Sequence, residues 1–115
     1  MKQLITAAFF FIICSTSYAG GFIAELENSI ARAGKGSKVE YILHLTNGKE
    51  HTITGHDFTS GKVAREGNAP LYFELFKGRG DKKQNIMINL QNATYYELFI
   101  EKDMGTWNYT FHFYY

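Results

Sequence analysis

The chain reads as an α+β domain: one N-terminal helix packed on a curled antiparallel sheet of about six strands. An all-β sandwich with a short N-terminal helix is the alternative. Three observations predict this class. Apolar residues fall at helical spacing in one place, on Phe22, Ile23, Leu26 and Ile30. From Lys38 onward they recur at every second position, the period of a half-buried strand. Turn signals such as Asn47-Gly48 and Gly78-Arg79-Gly80-Asp81 separate the alternating runs.

Residues 1–19 have the make-up of an export signal. Lys2 supplies the positive start, Leu4 to Ile13 is apolar apart from Thr6, and Ser17-Tyr18-Ala19 places small residues around a cleavage point. The apolar run is about half of the ~20 residues a membrane-spanning helix needs. Cleavage before Gly20 is therefore expected, leaving a single domain over residues 20–115 in a periplasmic or secreted location. The one cysteine, Cys14, lies inside the signal and follows Ile13 rather than the small residue that precedes a lipid-modified cysteine. No disulfide can staple the remaining domain, so burial must hold it together.

"GFIAELENSIARAGKG" is the helix. Glu25 and Glu27 lie near its start and Arg32 and Lys35 near its end, as the dipole favours, and Gly34 and Gly36 stop it. "KVEYILHLTNGKEHTITG" follows as a hairpin about a two-residue Asn47-Gly48 turn, with Val39, Tyr41, Leu43 and Leu45 on one face. Residues 56–69 read as a long polar connection with a short strand near Val63. Pro70 suits the start of the next strand, "LYFELFK", which is apolar on both faces and belongs mid-sheet. "QNIMINLQ" turns Ile86, Ile88 and Leu90 to one side. "YYELFIEK" turns Tyr96, Leu98 and Ile100 inward and Glu97 and Glu101 outward, and the chain closes on "WNYTFHFYY".

That last strand is aromatic at each odd position from Trp107 to Tyr115 and hydrogen-bonding at each even one. It resembles the closing strand of outer-membrane barrels, but the strand number falls short of the eight of the smallest usual barrel. The stripe is expected to be sheet core, which makes the even face, with His112 and Tyr114, an exposed face.

Composition narrows the function classes. Basic and acidic side chains number 12 and 11, and balance once Lys2 is removed. This gives no general attraction to nucleic acid or anionic membrane, so neither is expected as a partner. Arg79-Gly80-Asp81 is the tripeptide that integrin-binding adhesins display, on residue types a turn needs anyway. Its neighbours Lys77, Lys82 and Lys83 make a basic tip suited to an acidic cleft. His44 and His51 have matching parity about a two-residue turn and would face one another, a weak metal site with His56 or Asp57 as third ligand. An enzyme reading casts Glu74, Arg79 and His112 in the roles used by small secreted ribonucleases, with His44 in reserve. No phosphate loop, Ser/His/Asp arrangement or cysteine nucleophile accompanies them.

The expectation is a small exported protein-binding module without cofactor. It would be an inhibitor or immunity-type protein that blocks a partner toxin or hydrolase. The expected contact elements are the 77–83 turn (Lys77, Arg79, Asp81, Lys82, Lys83) and the 56–69 connection (His56, Lys62, Arg65). The alternatives are a ribonuclease-like hydrolase and a membrane-active or lectin-like β protein. An exposed strand edge also allows pairing with a second copy.

Overall fold

The computed structural model describes residues 11–14 and 19–115, so most of the expected export signal, with Ser17 and Tyr18, lies outside the described residues. In chain order the elements are β1 (Phe11–Cys14), α1 (Ala19–Gly34), β2 (Lys38–His44), β3 (Glu50–Thr54), a 3-10 turn (Gly55–Asp57), β4 (Ser60–Glu66), β5 (Ala69–Arg79), β6 (Lys82–Asn89), β7 (Tyr95–Asp103) and β8 (Thr106–Tyr114). The protein is mainly β, with its helix packed on two sheets. One sheet runs β1-β7-β8-β2-β3 and the other β4-β5-β6.

Two expectations are corrected. The short strand expected near Val63 is β4, Ser60–Glu66, a full member of a sheet, so the 56–69 segment is not one long connection and seven strands rather than about six follow the helix. Its polarity misleads because β4 is a sheet edge, where charged side chains guard the open side. The added strand changes the closure as well. Seven up-and-down strands leave the first and last running the same way. Accordingly β2 and β8 pair in parallel, from Lys38 opposite Asn108 to His44 opposite Tyr114, while every other pairing is antiparallel. The sheet also breaks in two. The 3-10 turn makes one corner, where Gly55 lies so near Val39 that a Cβ there would sit 3.0 Å from the Val39 Cβ. The Leu90–Thr94 loop bridges the other break, and Tyr96 OH donates to the Leu90 carbonyl across it at 2.7 Å.

The helix ends as its sequence requires. Gly36 takes a φ of +101°, the Ser37 N–H reaches the Arg32 carbonyl, and the Gly36 N–H reaches that of Ala33. This is the left-handed glycine cap that satisfies the last carbonyls. The apolar face of the helix, Phe22, Ile23, Leu26 and Ile30, is buried. Phe22 stacks on Tyr96 at 4.8 Å and meets Phe111 and Phe113 edge-on at 5.5 and 5.7 Å. Tyr41 of one sheet approaches Phe73 of the other at 5.5 Å, so the inner faces meet beside the helix. Ser29, buried on the helix, donates to the Leu26 carbonyl, and its hydroxyl is hydrogen-bonded to that of Tyr41, each at 2.6 Å. Burial pushes the Tyr41 hydroxyl far above its ordinary pKa, and the Ser29 bond offsets part of that shift. The aromatic stripe of β8 is core: Tyr109, Phe111 and Phe113 are buried, while Trp107 emerges at one end. Among the described residues no helix is long and apolar enough to cross a membrane.

Candidate functional site

Strand β3 ends and β8 begins at the same end of the five-stranded sheet, and Thr59 ties the β3–β4 corner to the end of β5, so three connections gather at one end of the molecule. These are the β3–β4 corner, the β5–β6 turn and the β7–β8 turn. The first two close on each other. The Thr59 N–H and hydroxyl both donate to the Phe76 carbonyl, at 2.9 and 3.0 Å. The Lys77 ammonium sits 5.4 Å above the buried Phe58 ring, a contact favoured by the negative face of the ring. The result is an open depression of about 810 Å3 lined by Asp57, Thr59, Lys77, Gly78, Asp81, Lys82, Lys83 and Gln84.

Most of the expected contact residues therefore converge. Lys77, Asp81, Lys82 and Lys83 line the depression, and exposed His56 stands beside Asp57 with Nε2 3.9 Å from Oδ1. The Arg79 backbone pairs with Lys82, and Gly80 takes a φ of +60° in the two-residue turn between them. Two residues lie elsewhere. Lys62 lines a separate shallow hollow with Ser60, Glu74 and Phe76. Arg65 lies toward the other end of β4 and pairs with Glu27 of the helix at 3.2 Å.

The outer face of the five-stranded sheet is a second polar surface. Here the hairpin register overturns the predicted metal pair. The loop has three residues, Thr46 to Gly48, with Leu45 N–H bonded to the Lys49 carbonyl and Gly48 at a φ of +85°. A type I turn ending in a left-handed glycine supplies this extra residue. The register shifts by one, so His44 opposes Glu50 while His51 opposes Leu43, and the two histidines point to opposite faces. Neither His56 nor Asp57 completes a site, and among the described residues no three metal-ligating side chains gather.

His44 meets a different histidine. Its Nε2 lies 2.8 Å from Nδ1 of His112, across the parallel β2–β8 seam, and its Nδ1 lies 3.3 Å from the Glu50 carboxylate. The His44 ring stacks on Tyr114 at 4.2 Å, Tyr114 stacks on Tyr95 at 4.4 Å, and Tyr114 OH donates to Glu97 at 3.0 Å. Burial, helped by the Glu97 carboxylate that accepts the phenol proton, pushes Tyr114 up to about 12. Burial is also the main force holding His112 below the ordinary histidine value. His44 adds to it, and Glu97 and Glu50 oppose it. An imidazole–imidazole hydrogen bond needs one N–H and one lone pair, so the contact survives only while at least one ring is neutral. Sequence reasoning pointed to an exposed even face but missed this pair, because nothing local to residue 44 or 112 announces that β2 and β8 are neighbours.

The ribonuclease-like trio does not assemble. Glu74 lies on the outer face of the three-stranded sheet and accepts a hydrogen bond from Asn85. His112 lies on the outer face of the opposing sheet, beyond the core that Tyr41 and Phe73 share.

No family model, no curated protein and no solved structure matches this chain.

Proposed function

We propose that the chain is an exported protein-binding module of the inhibitor or immunity type. It would block a partner toxin or hydrolase with the connections at one end of its three-stranded sheet. One observation carries the reading. The β3–β4 corner and the β5–β6 turn, far apart in sequence, form one open depression. None of the three lysines around it makes an ion pair among the described residues, and Lys77 rests over the Phe58 ring. A rigid sheet that displays cations on its loops suits an acidic cleft on another protein. A loop-centred contact of this kind needs roughly 800 Å2 per partner.

The test is a pull-down from extract of the cells of origin, with residues 20–115 as bait. The wild type should capture one protein in stoichiometric amount, and a Lys77→Glu, Lys82→Glu, Lys83→Glu variant should lose it without losing its fold. Capture of no stoichiometric protein, or capture that survives the charge reversal, would reject the proposal.

A further inference from the structure

The β7–β8 turn differs from the other hairpin turns in its backbone. It is a two-residue turn, with Asp103 opposite Thr106, and both central residues take positive φ: +51° at Met104 and +85° at Gly105. Asparagine, aspartate or glycine ordinarily fills the first of these positions, because other side chains are strained there. At the other three hairpin turns the positive φ falls on glycine, at Gly48, Gly67 and Gly80, and Met104 is the only non-glycine with positive φ among the described residues. The strained side chain gains nothing from its own fold, since Met104 is 96% exposed. Beside it Trp107 is 38% exposed, with the Lys102 ammonium 5.6 Å above its ring. Trp107 extends the aromatic stripe of β8 out of the core, at the end of the molecule that bears the basic depression.

We infer that the β7–β8 turn is a second contact element, which inserts Met104, with Trp107 at its side, into an apolar pocket on the partner protein. The inference rests on the proposed binding role. Strain held at an exposed position marks a place where the side chain is used. Methionine and tryptophan are enriched in the desolvated centres of interfaces, and methionine adapts to irregular pockets. Glu101 and Asp103 flank the turn, and acidic groups so near the tip oppose entry into a bilayer, which favours a protein pocket.

Photo-crosslinking from cell extract separates this inference from the reading beneath it. A benzophenone amino acid is placed at 104 in one sample and at 83 in another. The same adduct from both positions is the expected result. An adduct from 83 alone overturns the tip and leaves the depression standing. One from 104 alone keeps the tip and removes the depression, and none from either removes both. Against the captured protein, Met104→Asn should weaken binding about tenfold or more while Met104→Leu stays near wild type. The asparagine variant should melt no lower than wild type, because asparagine suits the turn. Equal affinities for the asparagine and leucine variants would overturn the inference. Trp107, the only tryptophan, reports the occupant directly. A blue shift on adding the captured protein supports the pocket. The same shift on adding phosphatidylcholine–phosphatidylglycerol vesicles alone would assign the tip to lipid instead.

Discussion

The outer faces of the two sheets hold polar side chains in opposite ways. On the five-stranded sheet Glu97, Tyr114, His44, His112 and Glu50 bond to one another, and their rings stack across strands. On the three-stranded sheet Glu74 and Asn85 pair, while the lysines at the end of β5 and start of β6, though they share a depression with Asp57 and Asp81, make no ion pair among the described residues. Cross-strand pairs of the first kind stabilise a sheet. Cations left without a partner do little for stability and keep their capacity for another molecule. A crowded polar face is therefore the weaker sign of a binding surface here, and the sparse one the stronger.

The comparison can be broken at several points. The largest effect belongs to the inner side of β8, beneath the bonded face. Phe111 is fully buried against Phe22 and Tyr41, so Phe111→Ala should cost about 3–5 kcal/mol in urea unfolding. Its outward neighbour Thr110→Ala should cost under about 0.5 kcal/mol. Comparable losses at the two positions would mean that β8 does not divide core from surface.

Next comes the smaller sheet's attachment to the helix. A Cβ on Gly61 would lie 2.8 Å from the Phe73 ring and 2.9 Å from Ile30, so Gly61→Ala should destabilise by about 1–3 kcal/mol. A neutral alanine would show that β4 and the helix pack more loosely than their contact implies.

The bonded face should also respond to acid. The folded His112 has a depressed pKa, so the stability linked to it is complete above the ordinary histidine value of about 6.5 and is lost as pH falls from there through the folded value. The melting temperature of the wild type should drop more between pH 7.5 and 5 than that of His112→Gln, which cannot take up the proton. Parallel pH profiles for the two proteins would remove the linkage. The smallest effect is expected on the sparse face. Lys82→Glu with Lys83→Glu should leave stability within about 0.5 kcal/mol of wild type by thermal melting, and a large loss would place those lysines in the structure rather than at its service.

Much of the architecture was legible, because period and punctuation are local properties. The helix face from Phe22 to Ile30, the central place of β5 and the inward stripe of β8 all emerged where the pattern put them. What escaped depends on single residues or on distant pairing. One additional loop residue before Gly48 separated His44 from His51. An edge strand with few apolar positions reads as a short strand within a connection and falls outside the strand count, which hides the parallel meeting of β2 with β8. The residues that line the depression read from the sequence as parts of two separate elements. That they adjoin follows from the Thr59–Phe76 contacts, which no spacing in the chain discloses.

The parallel seam bears on how the molecule comes into being. Its two halves, residues 38–44 and 108–114, lie at nearly opposite ends of the folded chain, and the final strand also supplies the rings that cover Phe22. Such distant pairing makes for slow folding. A chain emerging from the ribosome keeps part of its helix face uncovered until residues 108–114 arrive, so the synthesis of that strand, rather than any earlier local event, sets the moment at which the fold can close.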